Sequence, residues 1–454
     1  MDPRWFAGND EPERESARPF VPRRGKSEPE RSRKKRHADY TIGWICALPV
    51  EVAASKAMLD NLHPSLPQGG NDHNVYTLGE LYGHNIVIAC LPSGVYGISS
   101  ASTVAVQMLN TFPAIRFSLM VGVGGGVPGS YIADVRLGDV VVSKPTSTFG
   151  GVVQYDIGKA IRGHRIQRTG VLNRPPSILL AAVSRLEADH MMNHSSIPDE
   201  LEAMLDKYPN MEAFEHPGAE HDIVFHADYQ HVDPNDKTCR SCSPQAQIIR
   251  RARRTQSPRI HYGLIASGNQ VIRDAITRDE IAQELGGEVL CFEMEAAGLM
   301  GDFPCLVIRG ICDYSDSHKN KQWQPYAAAV AVAYAKELLS VIPMTQVANA
   351  PDARGSAYDQ HFGPPREYQE RPHIPPWQSA WEQYDTHPVS ADPEPEAMSA
   401  GGLALFALLG CPDCKIIDDK RSGQQMWICC QCGDGPKAMA LSVECAICSH
   451  RMSS

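Results

Sequence analysis

The chain has 454 residues, 43% hydrophobic and 21% charged, with a formal net charge of −10. That length accommodates one large domain with smaller pieces attached, and the acid excess argues against a general nucleic-acid binder. No apolar run approaches the ~18 residues of a membrane span, and an N-terminus without an apolar core predicts no secretion, so the fourteen cysteines read as reduced thiols.

Residues 1–38 are rich in Pro, Arg, Glu and Ser. They hold too little apolar surface to offset chain entropy, which predicts disorder. The segment ends in RSRKKRH, Arg31 to His37, read either as a nuclear-localisation patch or as a solvated charge run. The expected location is cytoplasmic or nuclear. Order begins at DYTIGWICALPVEVAA, with a buried strand over Tyr40 to Leu48 and a helix from Val50. Strand-like runs recur at HNIVIACL, FSLMVGVG, DVVVS, HYGLIAS, VLCFEM and CLVIRGI. Helical stretches separate several of them, at Ser99 to Leu109, Ser177 to Ala188, Thr277 to Leu285 and Pro325 to Leu339. This alternation predicts an α/β domain over 39–343 with a largely parallel or mixed sheet. His216 to Ser257 is polar and irregular and reads as an insertion or long loop. Residues 344–400, with PPREYQERPHIPP and DPEPE, read as a disordered Pro-rich linker, and 401–454 as a separate Cys-rich module.

Four segments carry chemistry: ALPVEVAA with Glu51, the glycine loop MVGVGGGVPG, CFEMEAAG with Glu293, Met294 and Glu295, and VIRGICDYSD with Asp313. Each falls where a strand ends, and open α/β sheets gather ligands at the carboxyl ends of strands. Cleaving an N-glycosidic bond passes through an oxocarbenium-like state. It needs an acid for the departing nitrogen, a base for the nucleophile, and a carboxylate for the ribose hydroxyls and the developing positive charge. Asp313, Glu51 and Glu295 suit those three roles. Gly122, Gly124 and Gly125 let the backbone approach a ribose or phosphate closely. Taken singly, an Asp after a strand is more often a cap or turn residue, and a lone GVGGG is weak.

The combination resembles the purine/uridine phosphorylase and methylthioadenosine nucleosidase superfamily from Tyr40 to Pro343, most specifically in FEMEAAG followed by VIRGICDYSD. GLIASGNQVIRDAITRDEIA, FEMEAAGLM and RGICDYSDSHKNKQWQPYAAA resemble its fungal branch, in which the domain often precedes NACHT or repeat modules of immune-receptor-like proteins. The resemblance implies a three-layer nucleoside phosphorylase/hydrolase fold with a mixed central sheet. It further implies that Glu51 activates water, that Met294 and Glu295 pack under and hydrogen-bond the ribose, and that Asp313 serves the purine at N7. Glu293 is the preceding acid of the same motif, and Ser267 to Val271, including Asn269, line the base pocket. It implies a homo-oligomer as well, because relatives often complete the site with a neighbouring subunit.

The phosphorylases of this family place an Arg before the glycine loop and a Ser or Thr inside it. Met120 and Val123 stand there and neither can bind an anion through its side chain, which favours water over phosphate. The aromatic that nucleosidases stack on the base is replaced near Val271, and the Ser before the catalytic Asp is Cys312. The expected function is a purine nucleoside N-ribohydrolase with an adenosine-like substrate and no catalytic cofactor. The rivals are a phosphorylase, a nucleotide (ATP) nucleosidase drawing on Arg162, Arg165 or Arg273, and a non-catalytic sensor or scaffold in a fungal defence-type system.

Cys239 and Cys242 form a CxxC with His226 and His231 upstream. Four such ligands could hold zinc, but the reading preferred on sequence is a surface loop without metal. His73, His84 and His318 read as ordinary polar or loop residues, and the cysteines in apolar strands as buried small residues. The tail holds three CxxC pairs. Cys429, Cys432, Cys445 and Cys448 are expected to form one structural zinc site, with Cys411 and Cys414 either pairing with Cys430 or His450 or replacing one of those two pairs. Such a module would serve a protein partner.

Overall fold

A computed structural model describes residues 34–354, apart from 130–132, 147, 162–164, 194 and 234–237. It describes the backbone alone of 415–419, 424–428 and 437–438. The chain divides into two units, Met1–Glu367 and Tyr368–Ser454.

The first unit contains β1 (Ile42–Cys46), α1 (Pro49–Ala57), β2 (Asn61–His63), β3 (Tyr76–Leu81), β4 (His84–Cys90), α2 (Ile98–Thr111) and β5 (Phe117–Gly126). Next come β6 (Val140–Ser143), β7 (Val152–Gln154), β8 (Gly158–Ile161), β9 (Arg165–Arg168), α3 (Ser177–Met192) and α4 (Ile197–Lys207). After a long irregular stretch follow β10 (Ile260–Ser267), α5 (Ala275–Glu284), β11 (Val289–Glu293), α6 (Ala297–Met300), β12 (Cys305–Asp313), α7 (Gln324–Ser340) and α8 (Met344–Asn349). Every apolar run expected as a strand is one. The strands β2, β3 and β7 to β9 were not expected, since their apolar runs are short or interrupted by polar residues. Helix α4 was not expected either, although Ile197, Leu201 and Met204 are its buried face at a helical spacing.

The main sheet runs β11-β10-β6-β12-β5-β1-β4-β3-β2, with β7 added beside β10. It is mixed. β1 is parallel to β4 and β5, and β12 to β5, while β12 and β6 are antiparallel. A further antiparallel pairing of β11 with β5 closes β5, β12, β6, β10 and β11 into a ring. β1 and β12 are buried along their whole length, as strands covered on both faces should be. One apolar core lies under α1, α3, α4 and α7, a second under α2 and α6, and a third between α5 and the β10–β11 end. The result is three layers.

α7 is apolar around its whole circumference and rich in alanine, which lets it lie directly on the sheet. Gly310 of β12 leaves no room for a side chain against the Ala327 backbone. Residues expected as the start of a linker form α8 and an anchor beyond it. Val347 and Ala353 are buried, and Arg354 Nε donates to Leu109 O at 3.0 Å. At the other end, Lys35 Nζ donates to Asn85 Oδ1 at 2.8 Å, and His37 Nε2 lies 2.9 Å from Pro67 O. The second unit shows three antiparallel strands, β13 (Lys415–Asp419), β14 (Gln424–Ile428) and β15 (Lys437–Ala438). The tail ligands Cys411, Cys414, Cys429, Cys430, Cys432, Cys445, Cys448 and His450 lie outside the described residues.

Candidate active site

β5 changes partner along its length, and the site forms where it does. Its first half pairs with β1 as far as Ile45 and Met120, and its end pairs with β11 from Phe292 and Gly125. On that side no described strand covers Val121 to Gly124. Such a divergence of neighbours is where α/β sheets open a ligand crevice. Glu51, in the first turn of α1, fills the gap. Its Oε1 accepts the Val123 N–H at 2.8 Å, and its Oε2 accepts those of Ala47 at 2.6 Å and Leu48 at 2.9 Å. Gly122 faces this carboxylate, and a Cβ there would sit 2.6 Å from Glu51 Cδ and 2.7 Å from Arg309 Nη1. Burial pushes the Glu51 carboxyl above its ordinary range, against the opposing pull of Arg309 and the three N–H donors.

Arg309 lies beneath the cleft, fully buried within β12. It donates to Glu293, lies 3.4 Å from Glu295 Oε2 and reaches Val123 O at 3.4 Å. Glu293 also accepts the N–H groups of Glu295 at 3.1 Å and Ala296 at 3.0 Å, which fixes the turn leading into α6. Its part is to position its neighbours. Glu295 is 6% exposed and its carboxyl is pushed up to about 7. Burial is the main cause, with Glu293 and Glu51 adding to it and Arg309 opposing. Three buried carboxylates thus surround one guanidinium. Sequence reading missed Arg309, although an Arg inside the apolar run VIRGI signals a buried charge that must find partners.

Asp313 ends β12 opposite Gly125. Its Oδ1 accepts the Ser315 N–H at 2.9 Å, and Lys319 Nζ lies 3.4 Å from its Oδ2. A Cβ on Gly125 would collide with Ser315 Oγ and lie 2.8 Å from Asp313 Oδ1. The glycines therefore give the acids room, and only Gly124 and Gly125 of the predicted three also line the open space.

That space is a cleft of about 1600 Å³. Its walls include Glu51, Glu293, Met294, Glu295 and Asp313, with Phe292 beside them and Val271 and Arg273 farther along. Phe292 is an aromatic that the sequence reading did not name; Tyr155 meets it edge-on at 5.7 Å. Two expected pocket residues stand outside the lining. Ser267 is fully buried, its Oγ accepting the Ala297 N–H at 3.0 Å. Asn269 N–H donates to Asp156 at 2.7 Å, and its Oδ1 accepts the Ile98 N–H at 3.3 Å. Met120 is fully buried, while Val123 lines the cleft. Arg162 and the side chain of Arg165 lie outside the described residues.

The irregular insertion forms the remaining wall, through His221, Phe225, His231 and Cys239. Asp139, buried beside Arg253 and His261, ties its far end to β6. The expectation for His318 as an ordinary loop residue is corrected. Its ring stacks on Phe225 at 3.9 Å, and its Nδ1 lies 3.7 Å from Cys239 Sγ and 3.8 Å from Cys242 Sγ. His231 joins this group and His226 does not.

A mixed three-layer sheet with carboxylates gathered where β5 changes partner defines the class: the chain belongs to the phosphorylase superfamily, whose sequence profile matches residues 41–341. An NLR-like protein of Hyaloscypha variabilis is 47% identical over 305 residues, 67% of this chain but 29% of that protein. The chain thus spans less than a third of that relative. The 5′-methylthioadenosine/S-adenosylhomocysteine nucleosidase of Mycobacterium tuberculosis is 24% identical over 310 residues, 67% of this chain and 97% of the enzyme. The corresponding nucleosidase of Neisseria meningitidis, solved with methylthio-immucillin-A, shares 17% identity and gives a TM-score of 0.43 over 66% of this chain and 98% of that one.

Proposed function

We propose that the domain hydrolyses the N-glycosidic bond of a purine nucleoside, with an adenosine-like compound as the first substrate to test. The observation that carries this reading is the cleft lined by Glu51, Glu295 and Asp313 above the fully buried Arg309. Carboxylates gathered in the cleft favour an oxocarbenium ion, which gains positive charge only as the bond breaks. A carboxylate offers about four lone-pair directions. Three of those on Glu51 are taken by backbone N–H groups, and the fourth would receive the attacking water. In the proposed step Glu51 takes a proton from that water as its oxygen attacks C1′. The C1′–N bond breaks, its electron pair leaves with the base, and Asp313 supplies the proton at N7. Glu295 holds the ribose hydroxyls. The raised Glu51 pKa makes it a stronger base than an exposed carboxylate.

Hydrolysis is favoured over phosphorolysis because Arg309 is committed to carboxylates and Met120 is buried. A nucleotide substrate is the second reading, since Arg240, Arg273, Lys319 and Lys321 all border the same cleft. The test is base release from a panel of nucleosides and nucleotides, with and without phosphate. Free adenine without phosphate is the expected product, with kcat falling about 10²–10⁴-fold in both Asp313→Asn and Glu51→Gln. Release that requires phosphate would overturn the hydrolase. Preference for phosphorylated substrates, with KM raised by Arg273→Ala, would establish the second reading. No release from any compound would leave a ligand sensor or scaffold.

A further inference from the structure

We propose that His231, Cys239, Cys242 and His318 bind one zinc ion, and that this ion fastens the insertion to the loop that follows Asp313. The four ligand atoms lie within 4.8 Å of one another. In a tetrahedral site with Zn–S near 2.3 Å and Zn–N near 2.0 Å, sulfur and nitrogen stand about 3.6 Å apart. The separations of His318 Nδ1 from the two sulfurs, 3.7 and 3.8 Å, match that spacing. Ordinary packing or a disulfide would not require a ring nitrogen equidistant from both thiols.

The surroundings are those of a metal site. The Cys242 N–H donates to Cys239 O at 3.1 Å, which closes the CxxC into a tight turn with both sulfurs on one side. His318 Nε2 lies 3.0 Å from Tyr229 O and His231 Nε2 lies 3.0 Å from Thr238 O. Each Nε2 donates to its carbonyl, which leaves each Nδ1 unprotonated, and that of His318 is turned toward the thiols. Such carbonyl partners set the tautomer of metal-bound histidines. Phe225 and Tyr229 stack on the His318 ring and hold its plane. Cys242 and His318 are both buried. Two thiols losing their protons would balance the charge of Zn²⁺, and two sulfurs with two imidazoles suit zinc best among divalent ions. With four protein ligands no position stays open for substrate, so the ion is structural.

Its place in the fold gives it a purpose. The insertion already touches the 313–323 loop through Tyr314 Oη with Asp222, the His231 N–H with Ser317 Oγ, and Trp323 Nε1 with His221 O. Lys319, beside Asp313, directly follows His318. A metal bond between the two segments would hold the cleft wall against the Asp313 loop.

The test uses the full chain, purified without chelator, with zinc measured by plasma emission. Cys239→Ser/Cys242→Ser is expected to hold one equivalent less zinc per chain than wild type, whatever the tail cysteines carry. Unchanged zinc content overturns the site. Because the double variant could misfold, wild type is also alkylated with iodoacetamide and mapped by mass spectrometry. Cys239 and Cys242 are expected to be protected, with labelling rising at least about tenfold once a chelator strips the ion. A Cys239–Cys242 disulfide, or labelling indifferent to chelator, overturns the proposal. Neither readout requires any substrate to be turned over.

Discussion

At the scale of single residues, the informative feature is an imbalance of charge. Glu51, Glu293 and Glu295 share one guanidinium at the buried floor of the cleft. Glu295 answers by holding its proton, its pKa raised from 4.5 to about 7. A carboxyl that binds its proton more tightly when folded contributes stability that is complete below its unfolded pKa. That contribution is lost as pH rises through the folded value. Denaturant titrations should therefore show wild type losing stability between about pH 4.5 and pH 7 relative to Glu295→Gln, which cannot ionise. Parallel curves for the two proteins would mean that folding does not shift the Glu295 carboxyl. Glu51, Glu295 and Asp313 were legible in the sequence as candidates because each lies at or shortly after the end of an apolar strand in an ordered set of motifs. Arg309 was overlooked inside such a strand. His318 reads as an ordinary loop residue in the sequence because 76 residues separate it from Cys242, and local spacing says nothing about a contact made through the fold.

At the scale of elements, the site depends on how closely α7 lies on β12. Gly310 is the point of closest approach, where an added Cβ would strike the Ala327 carbonyl and come within 3.0 Å of its Cα. Gly310→Ala must push the helix away from the strand that carries both Arg309 and Asp313. The expected cost is about 1–3 kcal/mol of stability, seen as a lowered denaturation midpoint, with a fall in activity larger than thermal loss explains. An unaltered midpoint would mean that helix and strand have slack between them. The buried strands were readable because continuous apolar runs have few other destinations. The strands β2 and β3 are short or broken by polar residues and do not declare themselves; β3 owes its conformation to the hydrogen bonds of β4, and the edge strand β2 to those of β3.

At the scale of the whole molecule, the composition of the chain after Pro343 concealed a boundary. Val347 and Ala353 are each 1% exposed, the Ala353 N–H donates to Ile115 O at 3.1 Å, and Arg354 reaches Leu109 and Asn110. A chain ending at Pro343 should lose about 1.5–3 kcal/mol from Val347 alone, whereas one ending just past Arg354 keeps that packing. Equal melting temperatures for the two would show that α8 adds nothing. Pro-rich sequence a few residues farther on drew the sequence reading too early, because a short anchor of two buried side chains leaves little compositional trace.

The ring made by β5, β12, β6, β10 and β11 has a consequence for how a substrate could enter. A closed set of strands has no outer member that can peel away, and separating any one of them breaks two ladders at once. Breathing of the sheet is thus an unfavourable route into the cleft. Backbone amides of β12 such as Val307 and Ile308 should exchange with deuterium only through global unfolding, while those of β2 and β3 exchange by local opening. The fluctuations that admit a ligand are left to the loops on the rim, among them the segment around Gln270 to Arg273 and the insertion that carries His231 and Cys239.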